Sequence, residues 1–406
     1  MEILPILSAL RRNKVGAVLI ALQIALTLAI VCNALPVIQR HLERMRRPTG
    51  IDESNIFTLN NQWVGQPQDL RSRIKGDLAT VRGSPGVIDA VETDSFPLHG
   101  GGSSAGLFLA PEQKFPTAHT AQYLVDEHGF ATYGLKLEAG RWFTADEIGE
   151  MQPHDTKVPG SIVITRNLAH ALFPSVSALG QMVYMDTRAA PSRIIGIVER
   201  AQTPWAGFSW AESFIENSTF MPYEFLYKGQ YFVVRTRPGQ MAGAMQAVQN
   251  RLFAQSHQRV IDDVQPFAES RKDTYAVPRA TSVLLTVVCA VMLAVTILGV
   301  TGLTMYWVTQ RRRQIGMRRA LGARQRDVLR YFQVENLLIA GSGVAAGVVL
   351  GLIGNLWLAR HLELARMGVG YICAGGAIVL VFSQAAVLWP ALRAARVPPA
   401  AAIRAL

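Results

Sequence analysis

The chain has 406 residues; half are apolar, 17% are charged, and the formal net charge is +11. A soluble protein carries about 25% charge, so this composition argues against a soluble enzyme and for a membrane protein. The basic excess does not point to nucleic acid. Most of it sits beside apolar runs, where arginine sets topology, and no aromatic-interleaved basic patch accompanies it.

Residues 1–14 are predicted to form a short helix in the membrane interface, with Ile3, Leu4, Ile6, Leu7 and Leu10 preceding Arg11, Arg12 and Lys14. Residues 15–38 form the first apolar run, longer than a cleavable signal and without a small-x-small site, so it is read as a retained anchor. A polar domain follows over residues 39–279. Three more apolar runs come close together, at 280–309, 336–359 and 371–389, near the ~20 residues that a span needs. The fold class is therefore four transmembrane helices with a large α+β domain between the first and second.

Within that domain, residues 55–60, 161–165, 193–198 and 231–236 read as strands. Leu70, Ile74, Leu78 and Val81 recur at helical spacing, as do Met241, Met245, Val248 and Leu252. Gly and Pro punctuation over residues 98–203 suggests an inserted lobe. The run GGGSSAG at 100–106 is taken as a flexible loop, since no strand precedes it and no Lys follows to cradle phosphate.

The connection 310–335 holds eight arginines against Asp327 and the boundary residue Glu335. The positive-inside rule places it in the cytoplasm, with both termini, and puts the polar domain outside. A short loop at 360–370 and a tail at 390–406 complete the topology. Arg40, Arg44, Arg46 and Arg47 run against this assignment, because they follow the first span on the side called outside.

Catalytic and metal chemistry is not expected. No Walker A, G-x-S-x-G, H-E-x-x-H or C-x-x-C motif occurs, and the eight histidines lack ligand spacing. Asp146-Glu147 and Asp262-Asp263 are taken as solvated loop or helix-start residues. Cys32, Cys289 and Cys373 all fall in predicted spans and suit apolar packing. Gly343, Gly347 and Gly351 recur every four residues, a stripe suited to close helix packing within the bundle or across a dimer. The span interiors carry no charge, which speaks against an ion-coupled transporter.

The stretch RRRQIGMRRALGARQRDVLRYFQVENLL resembles the signature of MacB/FtsX-type ABC transporter permeases. WPALRAARVPPA near the C-terminus, LSALRRNK near the N-terminus, and YGLKL, GRWFT, LG and IIGIV within the domain are similar to the same family. The resemblance implies a four-span permease of the bacterial inner membrane with a MacB-like periplasmic domain. It implies a dimer, homo- or heteromeric, working with an ABC ATPase supplied in trans, which would bind the ATP and magnesium. An ATPase-coupling role falls on Ile315, Gly316, Met317, Arg318, Arg319, Ala320, Leu321, Gly322 and Ala323, with Met317 and Leu321 as apolar contacts. Gln314 stands where the family has an acidic residue. The expected function is efflux or export by transmitted motion, toward a periplasmic adaptor and outer-membrane channel. An FtsX-like activator of a cell-wall hydrolase and a lipoprotein-release permease are the alternatives.

Overall fold

The structure, a computed structural model, describes residues 14–65, 69–320, 322–362 and 368–395. The interfacial helix expected before residue 14, Leu321, residues 363–367 of the loop 360–370 and the tail from 396 on lie outside the described residues, as do the side chains of Arg318 and Arg319.

Helix α1 covers Lys14–Arg46. The following domain contains β1 (Ile56–Trp63), α2 (Leu70–Arg82), β2 (Val87–Thr93), β3 (Ser103–Leu107), β4 (Ala118–Val125), α3 (Gly129–Tyr133), β5 (Leu137–Gly140) and β6 (Gly149–Met151). It continues through β7 (Ser161–Thr165), α4 (Arg166–Leu172), β8 (Met182–Tyr184), β9 (Pro191–Val198), β10 (Ser218–Phe225), β11 (Gly229–Thr236), α5 (Met241–Gln255), β12 (Arg259–Pro266) and α6 (Phe267–Thr274). The chain then enters α7 (Ala276–Gln310), α8 (Arg312–Ala320), α9 (Gln325–Leu362) and α10 (Val369–Ala395). Helices α1, α7, α9 and α10 are long and apolar enough to cross a membrane. Two compact units result: one built on the four long helices, and the domain Arg44–Val277.

In the helical unit, α1 is the element the others pack on. A Cβ added to Gly343 would lie 2.7 Å from the Ala21 carbonyl oxygen, and one on Gly347 would lie 2.8 Å from that of Ala25. Gly351 continues the register more loosely, 3.6 Å from Ala29 Cα. Gly343 and Gly347 thus meet the α1 backbone at Ala21 and Ala25, with Ile24 and Leu28 beside them, a contact that lets two backbones approach where lipid offers no hydrophobic drive. Between α1 and α7, the Thr27 and Thr296 hydroxyls pair at 2.9 Å. Asn33 Nδ2 donates to the Gly351 carbonyl at 3.2 Å, and Asn336 Nδ2 donates to Ser383 Oγ at 3.0 Å, joining α9 to α10.

The domain is two sheets deep in topology. The order β12-β1-β11-β2 is what a β-α-β-β-α-β unit forms, with β1, α2, β2, β11, α5 and β12 as its members. Ile74, Leu78 and Val81 of α2, with Ala244, Val248 and Leu252 of α5, bury against Phe57, Leu59, Phe232 and Val234. The second sheet, ordered β3-β4-β10-β7-β9-β5, is inserted between β2 and β11.

Three expectations need correction. The inserted lobe does not end at residue 203 but continues through β10, which lies between β4 and β7. Pro222 disguised that strand, since proline is rare inside a sheet. The expected flexible loop ends early, because Ser103 to Gly106 form most of β3. Asp262 and Asp263 lie in strand β12, not in a loop or helix start. The register against β1 shifts there, and Asp263 adopts a positive φ of 51° as the bulged residue, a conformation aspartate tolerates.

Substituting Gly347→Leu is expected to lower the thermal midpoint of the detergent-solubilised protein, reflecting an overpacking cost of about 1–3 kcal/mol. Gly302→Leu, at a helix position with nothing within 4 Å, is expected to leave the midpoint unchanged.

Candidate functional site

Two places gather polar residues that the fold has positioned with care. The first is the corner after α7. Arg311 lies between α7 and α8 and donates from Nη1 to both oxygens of Glu335 on α9, at 3.0 and 2.9 Å. Glu335 is buried, and the Tyr331 hydroxyl lies 3.3 Å from the same guanidinium nitrogen. A buried carboxylate needs such a partner, because an unpaired charge there would be costly. The pair therefore sets the angle at which α8 leaves the bundle.

On α8 itself, Ile315 and Gly316 are buried, and Ile315 joins the bundle's apolar core with Trp307, Val328 and Phe332. Ile315 is thus a holding residue, unavailable to an outside partner. Met317 is 57% exposed, and Ala320 and Gly322 are exposed as well. Ala323 is half-buried. Gly322 has a φ of 98°, a left-handed turn that suits glycine. Asp327 Oδ2 accepts from the Arg324 amide at 2.9 Å, which starts α9. Gln314 is exposed. The orienting ion pair at this corner is Arg311–Glu335.

The second place is in the domain, and sequence reasoning missed it. Gln202 is fully buried, and each of its polar groups has a partner. Its amide donates to the Thr49 carbonyl at 2.9 Å, and its Nε2 donates to the Arg47 and Pro48 carbonyls at 3.3 and 3.1 Å. Its carbonyl accepts from the Tyr123 hydroxyl at 2.6 Å, and its Oε1 accepts from the Tyr275 hydroxyl at 3.3 Å.

Arg271 on α6 works beside it. Its Nη2 donates to the Met45 and Arg47 carbonyls at 2.8 and 2.7 Å, and its Nη1 pairs with Glu53. Arg44 is only 7% exposed, and its Nε sits 2.6 Å from Glu212, which Arg47 also meets at 3.1 Å. Segments 44–53 and 271–275, which adjoin the long helices α1 and α7, are thereby held in one clasp. Of the four arginines that run against the expected topology, Arg44 and Arg47 belong to this clasp.

Farther along the domain, carboxylates join the two sheets. Buried Glu92 at the end of β2 accepts from the Phe225 amide of β10 at 3.1 Å, and burial pushes its carboxyl well above the usual range. Asp94 accepts from the Leu124 amide of β4 at 3.1 Å, and burial raises it to about 6. Arg82 Nη2 meets Asp126 at 2.6 Å. Asp94 also lines a cavity of about 360 Å³, with Gln122, Met151, Lys157, Met185 and Met221 among its walls. Among the described residues, no three of His, Cys, Asp and Glu come together as metal ligands.

Two family models match this arrangement. A MacB-like periplasmic core domain covers residues 24–251, and an FtsX-like permease C-terminal region covers residues 286–399. The chain belongs to the MacB/FtsX-type ABC permease family. It is similar to the macrolide export ATP-binding/permease protein MacB of Chromobacterium violaceum, with 26% identity over 358 residues, 84% of this chain and 50% of that one. With the same protein of Sodalis glossinidius, identity is 29% over 293 residues, 69% of this chain and 42% of that one. The chain thus spans about half the length, or less, of the curated relatives it matches. Among solved structures, the periplasmic region of MacB from Actinobacillus actinomycetemcomitans aligns at 19% identity and a TM-score of 0.35, over 59% of this chain and 99% of that one. This permease is accordingly a multi-pass inner-membrane protein, and its α+β unit is a MacB-like periplasmic domain.

Gln202→Ala strips the buried Tyr275 hydroxyl and two backbone carbonyls of a partner. At about 1–3 kcal/mol for an unsatisfied buried group, the variant is expected to unfold at a clearly lower temperature than the native chain. Asp94 gives a pH signature. Its folded pKa lies above the unfolded value, so its contribution is present below about pH 4 and lost as pH rises through about 6. Asp94→Asn is expected to flatten the dependence of the unfolding midpoint on pH across that window.

Proposed function

We propose that this chain is the permease of an ABC-type efflux or export system that transmits ATP-driven motion to its periplasmic domain. The ATP and magnesium would be bound by an ABC ATPase outside this sequence. The corner built by Arg311 and Glu335 carries the reading. It presents α8 with Met317 exposed, on a bundle whose described buried residues, apart from Glu335 in that corner, are apolar or neutral polar. A basic helix held at such a corner suits a partner's groove, and the buried carboxylate among the described residues of the four helices, Glu335, is already matched to Arg311, unlike the solvated charge that an ion-coupled path requires.

In this reading α8 faces the cytoplasm, as do both termini, and Met317, Arg318, Arg319, Ala320, Leu321, Gly322 and Ala323 meet the ATPase. Ile315 and Gly316 act from behind by holding α8 to the bundle. The motion reaches the domain through α1 and α7, whose ranges run to Arg46 and from Ala276, against the clasp of Gln202 and Arg271. A second permease copy, identical or not, completes the complex. A periplasmic adaptor and outer-membrane channel would take the cargo onward; the support for export is that the relatives are named for macrolide export.

The test is co-purification of an ABC ATPase with the full chain from host membranes. Met317→Asp and Gly322→Arg are expected to abolish it while the permease remains folded, with the Gly322 variant also straining a left-handed turn. Undiminished ATPase recovery with both variants would remove this assignment.

A further inference from the structure

The segment 205–214, WAGFSWAESF, has four aromatic side chains and a single charged one. Trp205 and Phe214 are nearly buried, at 8% and 9% exposure, and form a platform. Trp210 packs on both at tilted angles, with ring centroids 5.2 and 5.8 Å away, yet is 56% exposed. Phe208 lies 6.4 Å from Trp210 and is 48% exposed. The charge, Glu212, is consumed by Arg44 and Arg47, so the segment offers solvent an aromatic face without a carboxylate to repel anions.

The position of this face decides what covers it. Glu212 is tied to Arg44 in the last turn of α1, and a Cβ on Gly207 would lie 2.6 Å from the carbonyl of Thr274, two residues before α7. Each attachment point is about six residues from the apolar run of its span. At the 1.5 Å rise of a helix, six residues are about 9 Å. That distance is comparable to the depth of the headgroup layer flanking the ~30 Å hydrocarbon core. Trp beside arginine at that level is the composition of an interfacial belt, where the ring meets the acyl boundary and the polar edge stays wet. Arg46, exposed in the same turn as Arg44, supplies a cation for lipid phosphate.

We infer that Phe208 and Trp210 form an interfacial anchor that rests in the lipid headgroup–acyl boundary of the leaflet on the domain's side. The inference rests on α1 and α7 being membrane spans and is independent of which partner binds α8. The anchor gives the clasp a second footing: besides the chain connections at residues 44 and 276, the domain would grip the bilayer directly.

Power-saturation spin-label measurements in phosphatidylethanolamine–phosphatidylglycerol nanodiscs test it. Ser209→Cys and Val64→Cys would be made in full-length protein carrying Cys32→Ala, Cys289→Ala and Cys373→Ala. Ser209 is exposed between the two aromatics; Val64 is exposed just past the far end of β1 from the clasp. The ratio of oxygen to nickel-chelate accessibility is expected to be several-fold higher at 209 than at 64, and to fall to the value at 64 when Phe208→Ser and Trp210→Ser are added. A water-like ratio at 209 overturns the inference. So does shielding of 209 from both relaxants in nanodiscs and in detergent, which would mark a protein neighbour. If the cysteine-free background does not fold, the native-cysteine chain answers: brominated phospholipid should quench less of the tryptophan emission in Trp210→Phe, and unchanged quenching counts against the anchor.

Discussion

Gln202 is the residue on which the periplasmic domain's relation to its own chain ends depends. A glutamine side chain offers one acceptor and one two-proton donor, and here both are spent on segments that the sequence separates widely. Its backbone is spent as well, on Thr49 and Tyr123. With Arg271, it collects the carbonyls of Met45, Arg47 and Pro48 and the hydroxyl of Tyr275 into one junction. Carbonyls just past a helix end would otherwise be unsatisfied or wet. Satisfying them with buried side chains fixes the two ends of the domain against each other.

The helical unit solves a different problem by related means. Its residues cannot be driven together by exclusion of water, so contact distance matters more than apolar area. Gly343 and Gly347 bring α9 onto the backbone of α1, and neutral pairs such as Thr27 with Thr296 add direction without charge. The buried carboxylate of this unit, Glu335, stands at the corner where α8 departs, already matched to Arg311. Among the described residues of this unit, buried charge is confined to that corner.

Much of this was legible from local pattern. The four spans follow from apolar run length, and β7 has the bounds that its β-branched run suggests. The helices α2 and α5 follow from spacing at Leu70 and Met241 onward. The signature 311–338 led to the family that the matching domains establish. What escaped was non-local. β10 hid behind Pro222, and the bulge at Asp263 depends on the register of a neighbouring strand. Gln202 looks like any loop glutamine until Thr49 and Tyr275 are brought beside it. Arg44 and Arg47 were read as topological charges because Glu212, some 165 residues away, gives no local sign of pairing with Arg47.

The packing of α1 has a consequence for biosynthesis. Thr27 finds its partner 269 residues later in the chain, and Asn33 finds the Gly351 carbonyl 318 residues later. At about 20 residues per second, the fast end of protein synthesis, α1 waits on the order of 13 s for α7 and longer for α9. During that interval Thr27 and Asn33 are without the partners, not yet translated, that they meet in the finished bundle. The same residues that lock the finished bundle leave α1 with polar groups unmatched until α7 and α9 arrive, so its packing is completed late.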